Sequence, residues 1–448
     1  MKRFVVFCLF LFMAWLTVAC ETEATIPIVT DTELLDIEGL SVSRARLDIG
    51  GLYRIQEVRV PTNSHLPGTI ISYEESFAPG TMIPLQSEVT VLVADPPEGA
   101  YSLSPMVAYV HDLGYLTGPQ SLNHPLLVSV GIRGTDLGIP VRFHDEMVIL
   151  YGDSVPASGF RPSVGNWFSN FVARTRDTRY HEGLLFDAVT TNEDGVVQPF
   201  AQGAHDANVA DDQSDNPHRE VTKIPTGGLA IGNDFYIFYM SVRYWGFPGQ
   251  WFVTYNQVLK SSDDLQTFTP VEGLRFYEDE APNFGQIFVV EDPDDNDRVY
   301  LFGKPGGRSG GTVLARTLKS HFEDRSQIDY YLGNNVWLKG DAGLAALTAN
   351  PHYVIQPPCS EMSVMYNAYL GKWMAVYLRN SQIVMQTAEQ VTGPFTNTQT
   401  ITNTDHYTGL YGGFVHETFT RFNGQVFYLQ LSLWHPDYQV KWIEVVLK

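Results

Sequence analysis

The sequence predicts a mostly β protein in which a five-bladed β-propeller follows a small α+β domain. Strand–turn–strand units recur five times between residues 131 and 448, a region with almost no helical periodicity. A linker rich in proline, glycine and serine, residues 96–105, separates this region from a shorter one with a helical pattern and three strands. Short strands divided by glycine and aromatic residues suit a propeller, with the surplus length in insertions between blades. A two-sheet sandwich is the alternative, and it requires the units to pair across sheets.

Residues 1–20 have the pattern of a secretory signal peptide. Lys2 and Arg3 precede an uncharged, apolar run that ends with "LTVAC". This ending resembles a bacterial lipobox, although Thr17 stands where a branched aliphatic residue is usual. The resemblance implies lipidation of Cys20, a tether over residues 21–33, and an extracytoplasmic, membrane-anchored lipoprotein at the bacterial cell surface or envelope. An ordinary signal peptide and an uncleaved anchor are the alternatives.

The composition argues against one class of partner and limits covalent cross-linking. The chain has 29 basic and 50 acidic residues, a formal charge of −21, which argues against nucleic acid because a phosphate backbone requires a basic face. Of the three cysteines, Cys8 lies in the signal peptide and Cys20 is the expected lipidation site, so Cys359 alone remains. We therefore expect no intramolecular disulfide in the mature chain, and we interpret Cys359 as a buried structural thiol rather than a nucleophile.

Residues 34–95 are predicted to form the small α+β domain. "GLSVSRARLDIGG" places Val42, Ala45 and Leu47 at helical spacing before Gly50-Gly51, and three alternating stretches follow as strands. With "LPGTIISYEESFAPGTMI" and "EVTVLVAD", this segment resembles a PASTA domain. The resemblance implies a module that faces the cell wall and binds peptidoglycan. A spacer that binds nothing is the alternative.

The first unit of the propeller domain, residues 106–448, contains two aspartates at equivalent positions. In "GTDLGIPVRFHDEMVILYGDS" two apolar strands flank a turn at His144-Asp145, so Asp136 and Asp153 are equally far from its centre. Directly opposed residues of an antiparallel pair share a face, with Cβ atoms roughly 5 Å apart. Two carboxylates at that separation repel, so we expect the pKa of one of them to be raised. The pattern predicts an acid/base pair, and turn formation is the structural alternative for both residues.

Four further units complete the predicted propeller. The first strand of each blade of a propeller lines the central channel, so residues on these strands converge from distant parts of the sequence. The predicted turns lie at residues 232–234, in the acidic loop 291–298, near Gly371 and at Asn423-Gly424. The acidic loop lacks the spacing of an EF-hand, so we interpret it as a solvated hairpin tip and predict neither a metal nor a cofactor.

Other residues suit a carbohydrate site. Glu361 lies at a strand start, where a solvated glutamate is the alternative. Trp245 and Trp251 lie in a loop rich in glycine and proline, and such rings stack on sugar faces. Arg308 lies in the glycine loop "GKPGGRSGG", where its fork can hold hydroxyls or an acid. His416 is expected at the start of the last blade, with a structural histidine as the alternative.

The same segments are similar, in order, to the motifs of one bacterial propeller family, long a domain of unknown function, that includes endo-acting D-arabinanases. The matching segments are "GTDLGIP…YGDS", "YMSVRYWGFPGQW", "GKPGGRSGGTVLAR", "SEMSVMYN", "GLYGGFVH" and "LSLWHPDYQV", and they span residues 130–447. The resemblance implies a five-bladed propeller that hydrolyses α-D-arabinofuranosyl linkages of the arabinogalactan and lipoarabinomannan type. By motif position it implies catalysis by Asp136 and Asp153 with help from Glu361, and it adds Tyr366 and Trp434 to the expected substrate contacts.

One segment departs from this pattern, and two functions remain open. Residues 155–220 are long and polar and are expected to reshape the cleft. The predicted activity is that of a membrane-tethered glycoside hydrolase acting on cell-wall arabinan through a carboxylate acid/base mechanism. The alternative is a non-catalytic, glycan-binding propeller beside a peptidoglycan-binding module. For the enzyme, the separation of the carboxyl groups distinguishes retention from inversion, and the resemblance favours inversion.

Overall fold

The computed structural model describes residues 30–156, 167–203 and 220–448. The predictions for the signal peptide, Cys20 and most of the tether lie outside these residues, as does much of the polar segment 155–220. The chain divides into two compact units, with the boundary between Asp95 and Pro96. Within the described residues there are 27 strands and three α-helices, so the prediction of a mostly β chain is confirmed. No helix in these ranges is long and apolar enough to cross a membrane.

The first unit combines one helix with two small sheets. Strand β2 pairs in parallel with β5, β5 pairs antiparallel with β3, and β1 pairs with β4. The elements are β1 (Asp31–Glu33), α1 (Val42–Ile49), β2 (Arg54–Pro61), β3 (Ile70–Tyr73), β4 (Met82–Pro84) and β5 (Glu88–Asp95).

Helix α1 has a defined cap at each end. The Ser41 side chain accepts a hydrogen bond from the Arg44 N–H at 3.2 Å, and Gly50 adopts the left-handed conformation that ends the helix. The buried face contains Val42, Ala45 and Ile49. Leu47, which the sequence pattern groups with the apolar face, is 75% exposed, because the 3.6-residue period brings Ile49 to the core instead.

The second unit contains five antiparallel sheets among its described residues. Four sheets follow the chain order β7–β10, β11–β14, β15–β19 and β20–β23, and the fifth has the order β24-β26-β27-β6, with β25 paired to β26. The fifth sheet therefore joins the last strands of the chain to β6, which precedes the strands of the other four sheets of the second unit. The strands are β6 (Val107–Tyr115), β7 (Gly134–Phe143), β8 (Glu146–Val155), β9 (Phe171–Thr175), β10 (Ala188–Val189), β11 (Thr222–Ile231), β12 (Asp234–Trp245), β13 (Trp251–Ser261), β14 (Thr269–Tyr277), β15 (Gln286–Glu291), β16 (Arg298–Lys304), β17 (Val313–Leu318), β18 (Asp329–Tyr331), β19 (Trp337–Lys339), β20 (Met362–Asn367), β21 (Lys372–Arg379), β22 (Gln382–Ala388), β23 (Thr396–Asn403), β24 (Leu410–Phe414), β25 (Thr420–Arg421), β26 (Val426–Leu433) and β27 (Gln439–Leu447); the helices are α2 (His124–Ser129) and α3 (Gly340–Ala349).

The first strands of the five sheets contact one another in cyclic order. Strand β7 contacts β11, β11 contacts β15, β15 contacts β20, β20 contacts β24, and β24 contacts β7. These contacts join parts of the chain that are far apart in sequence. They bring the five first strands around one common space, which is where the candidate site lies.

All five predicted turns are present, but the strand before the last of them is shorter than a blade strand. Strand β25 before Asn423-Gly424 is only two residues long, and on the side of β26 that faces away from β27 the longer partner is β24, with Phe414 opposite Gln430. The first strand of this sheet is thus Leu410–Phe414. The turn dipeptide marks a local reversal correctly, but it does not determine which strand fills the neighbouring sheet position.

Candidate active site

A cavity of ≈ 600 Å³ lies among the first strands of the five sheets. Each first strand contributes at least one apolar side chain to its lining, among them Ile139, Ile224, Ile287, Met362 and Phe414. Polar and ionisable side chains also line it: Asp136, Asp153, Glu220, Gln286, Lys304, Arg308, Glu361, Tyr411 and Tyr438. All three predicted catalytic carboxylates therefore reach one cavity.

Asp136 is a buried carboxyl group with an incomplete set of partners. Its Oδ2 accepts a hydrogen bond from the Tyr411 hydroxyl at 2.8 Å, and the Tyr438 hydroxyl also donates to this carboxyl. Its Oδ1 is buried and has no hydrogen-bond partner among the described residues. The pKa of Asp136 is raised to about 7: burial raises it most, the negative charge of Glu361 also raises it, and the two tyrosine hydrogen bonds and Arg308 oppose the rise. Asp136 therefore holds a proton in mildly acidic solution, as a general acid requires.

The predicted hairpin is present, but the register around Asp136 is irregular. Phe143 pairs with Glu146 across the predicted turn, and Thr135 pairs with Ser154, as equal offsets require. Between them Leu137 pairs with Tyr151, so the ladder shifts and contains no Asp136–Asp153 pair. Leu137 and Gly138 have φ angles of 67° and 100°, which is how the strand accommodates the bulge. The expectation that Asp136 and Asp153 are directly opposed was therefore wrong. The expected cause of the raised pKa was also wrong: the pKa of Asp136 is raised by burial and then by the charge of Glu361, not by repulsion from Asp153.

The bulge brings the Asp136 carboxyl over the backbone of Gly152. A Cβ atom at residue 152 would lie 2.5 Å from Asp136 Oδ1 and 3.0 Å from Leu137 Cδ1. We expect Gly152→Ala to displace the carboxyl and to lower turnover roughly 10- to 100-fold, because ångström-scale misplacement of a reacting group is that costly. Steady-state kinetics check this result. If the effect passes through Asp136, Gly152→Ala adds nothing further in an Asp136→Asn background; an additive loss would contradict it.

Asp153, the second carboxyl of the predicted pair, is also buried. Its Oδ1 accepts a hydrogen bond from the Thr222 hydroxyl at 2.6 Å. Thr222 opens strand β11, so the first strand of the second sheet orients a carboxyl group of the first sheet. Asp136 thus accepts hydrogen bonds from tyrosines, and Asp153 accepts one from a threonine.

Glu361 is held as an ion by Arg308. The Arg308 Nε and Nη2 atoms donate to the two Glu361 carboxylate oxygens at 3.1 and 2.9 Å, and the Ser360 hydroxyl also donates to Glu361. Burial raises the pKa of Glu361, but the charge and hydrogen bonds of Arg308 outweigh burial and lower it to about 2. Both oxygens are engaged, so Glu361 is suited to electrostatic support rather than to proton transfer. The Arg308 guanidinium also lies 5.4 Å from the Trp251 ring centroid and 5.2 Å from that of Tyr411.

The predicted sugar contacts divide into two groups. Trp245, Trp251 and Trp434 line the cavity; the rings of Trp245 and Trp251 meet edge to face at 6.1 Å, and Trp434 is 58% exposed. Tyr366 and His416 do not line it. The Tyr366 ring packs against Trp373 at 5.9 Å, and the His416 Nδ1 accepts a hydrogen bond from the Thr418 N–H at 3.1 Å. Burial lowers the pKa of His416 to about 4.

Sequence reasoning missed five of the polar lining residues named above: Glu220, Gln286, Lys304, Tyr411 and Tyr438. Tyr411 and Tyr438 bond to Asp136, Lys304 ends strand β16, and Glu220 accepts hydrogen bonds from Ser241 and Tyr255. Tyr411, Tyr438 and Lys304 stand within quoted motifs, but no spacing rule connects them to a carboxyl far away in the chain. Cys359 is buried, as predicted, and burial raises its pKa to about 11. The described parts of the chain contain no group of three His, Cys, Asp or Glu side chains arranged to hold a metal ion.

The chain is similar to several known proteins. Notoamide biosynthesis cluster protein J of Aspergillus sp. (strain MF297-2) is 26% identical over 331 residues, which cover 68% of this chain and 80% of that protein. A solved structure described as a "putative hydrolase" from Bacteroides ovatus has a TM-score of 0.51 and 13% identity, covering 75% of this chain and 90% of the other, and it supports the fold. A GH43_1 enzyme from Xanthomonas citri has a TM-score of 0.39 and 13% identity over 71% of this chain and 88% of its own. Residues 126–444 match the family model described as a domain of unknown function (DUF4185). The chain therefore belongs to the DUF4185 family.

Proposed function

We propose that the second unit is a five-bladed β-propeller glycoside hydrolase that cleaves α-D-arabinofuranosyl linkages of cell-wall arabinan. The observation that carries the proposal is the Asp136 carboxyl at the cavity, which is buried, has one oxygen without a partner among the described residues, and has a pKa raised to about 7 by burial. A carboxyl that is protonated near neutral pH, beside one that is ionised, is the arrangement glycosidases use to protonate a leaving oxygen. Trp245, Trp251 and Trp434 at the cavity supply stacking faces for sugar rings.

The roles follow from the different surroundings of the carboxyl groups. Asp136 donates its proton to the glycosidic oxygen from its carboxyl group, which lines the cavity. Asp153 acts as the partner that activates water, the inverting course. Glu361, fixed by Arg308, keeps a negative charge near Asp136 and so favours its protonated form. Burial of all three groups strengthens these interactions because little water screens them.

The experiment that tests the function is the release of oligosaccharides from arabinogalactan by the purified protein. Products are separated by chromatography, and proton NMR of the first anomer formed distinguishes inversion from retention. Asp294→Asn, an exposed substitution in the acidic loop, serves as the matched control for Asp136→Asn. Binding without release by the wild-type protein would instead support the glycan-binding function, to which the exposed Trp434 is also suited.

The pH dependence is expected to have an alkaline limb set by Asp136. Its pKa is raised to about 7, and the general acid must be protonated, so kcat/KM should be constant below that pH and fall tenfold per pH unit above it. Initial rates on arabinan between pH 5 and 9 check this. A profile that stays flat to pH 9 would mean that Asp136 does not donate the proton.

The location of the enzyme is a separate proposal. We propose that Cys20 is lipidated and that residues 34–95 form a PASTA-like, wall-facing module that binds peptidoglycan. The support is the signal pattern with "LTVAC" and, for the module, its helix followed by a sheet with parallel β2 and β5. Acyl labelling of the wild-type protein but not of Cys20→Ala is the expected result, and equal labelling of both would exclude the lipid anchor.

A further inference from the structure

Lys304 is a buried cation at the cavity to which no role has been assigned. It is the last residue of β16, its relative exposure is 1%, and it lines the cavity beside Arg308 and Glu361. An ammonium group carries three N–H donors and is seldom buried without partners. A buried ammonium group in this position must therefore be stabilised by hydrogen bonds.

The protein satisfies two of the three donors. The Nζ atom donates to the Gly307 carbonyl at 2.6 Å and to the Pro305 carbonyl at 3.1 Å. No third acceptor for Nζ occurs among the described residues. Burial lowers the pKa of Lys304 to about 8, as expected for an ammonium group that is removed from water with too few partners.

A second side chain makes the same two bonds. Gln286 lies directly opposite Lys304 in the β15–β16 ladder, and its Nε2 donates to the carbonyls of Pro305 and Gly307 at 3.0 and 3.1 Å. The loop that carries Arg308 is thus held twice over, and the Arg308 N–H also donates to the Gly249 carbonyl at 2.9 Å. Holding this loop does not require a buried positive charge, since a neutral amide already does it.

We propose that Lys304 binds the glycan directly, with its third N–H donating to an oxygen of the sugar in the cavity. This inference rests on the proposed function, since it names the residue that recognises the arabinofuranosyl ligand. A ligand oxygen completes the coordination of the ammonium group. A ligand that presents no acceptor at this position leaves a buried charge short of a partner and is rejected.

The matched variants are Lys304→Met and Gln286→Met, each in an Asp136→Asn background so that binding is measured without turnover. Both variants remove the same two loop bonds, but only the first removes the ammonium group. Titration calorimetry with arabinofuranosyl oligosaccharides from arabinogalactan should show that Lys304→Met weakens binding roughly 10- to 100-fold, the usual loss for a hydrogen bond to a charged group. Gln286→Met should weaken it less than about threefold, since the loop retains its other bonds and the donor remains.

A second readout is independent of folding effects in the variants. Acetic anhydride labelling of the Asp136→Asn protein should modify Lys304 more slowly when the oligosaccharide is present, relative to Lys372, whose side chain is 40% exposed. Equal losses of affinity in the two Met variants, with no protection of Lys304, would overturn the inference and leave the proposed function intact. A wild-type protein that neither binds nor cleaves the oligosaccharide would overturn both.

Discussion

Asp136→Asn is expected to lower turnover of arabinan by about 10²–10⁴-fold, the usual contribution of general acid–base catalysis. The amide keeps the size of the side chain and can still accept from Tyr411 and Tyr438, but it has no proton to give to the leaving oxygen. Affinity for the oligosaccharide should change little. Asp153→Asn is expected to lower turnover by a similar factor. Here the missing step is the opposite one, because the amide cannot accept a proton from the attacking water.

The pH dependence of stability provides a control for the Asp136→Asn substitution, because the wild-type protein and the variant should differ in it. The pKa of Asp136 is raised on folding, so the folded state binds the proton more tightly than the unfolded state does. Stability of the wild-type protein is therefore lost as pH rises from about 4 to about 7, by at most about 4 kcal/mol for a shift of this size. The Asn variant lacks this loss and should be the more stable protein at pH 8. Urea unfolding at pH 5 and pH 8 measures this difference in stability between the wild-type protein and the Asn variant. The catalytic assignment itself is tested by turnover: near-normal turnover in both Asp136→Asn and Asp153→Asn would refute it.

Arg308→Met is expected to destabilise the second unit by about 3 kcal/mol at pH 7, because it leaves Glu361 ionised, mostly buried and without its partner. The Glu361 side chain is 12% exposed and that of Arg308 is 30% exposed, so water replaces only part of the lost interaction. Adding Glu361→Gln should recover most of the stability, since the neutral amide needs no counter-charge. Urea unfolding followed by tryptophan fluorescence reports on this unit, because residues 30–95 contain no tryptophan.

The pH dependence of this effect has a definite sign. The folded pKa of Glu361 is lowered to about 2, so the stability it contributes is present above the ordinary glutamate pKa and is lost as pH falls through the acid range towards 2. The cost of Arg308→Met should accordingly shrink at pH 3.5. Lys372→Met is the control, since it breaks an exposed pair with Glu389, and it should cost less than about 1 kcal/mol. A similar cost for both substitutions would contradict the account of Glu361.

The sequence by itself determined the local elements of the fold. The turn at residues 144–145 separates β7 from β8, and Gly50 ends α1. In each case a turn or cap residue interrupts a pattern of period 2 or 3.6, and both signals are contained in a short window of sequence. The convergence of Asp136, Asp153 and Glu361 was also predicted, through the motif resemblance and the expectation that first strands line a common channel.

Only the tertiary structure decided what these groups can do. The Tyr411 hydroxyl reaches Asp136 across 275 residues of sequence, and Arg308 reaches Glu361 across 53. The same packing placed Lys304 at the cavity and left Tyr366 and His416 out of its lining. It also made β24 rather than β25 the longer partner of β26 on the side that faces away from β27. The protonation state of a carboxyl group depends on its removal from water and on charges a few ångströms away. Both are properties of strands that meet only in the folded chain, so no local pattern contains them.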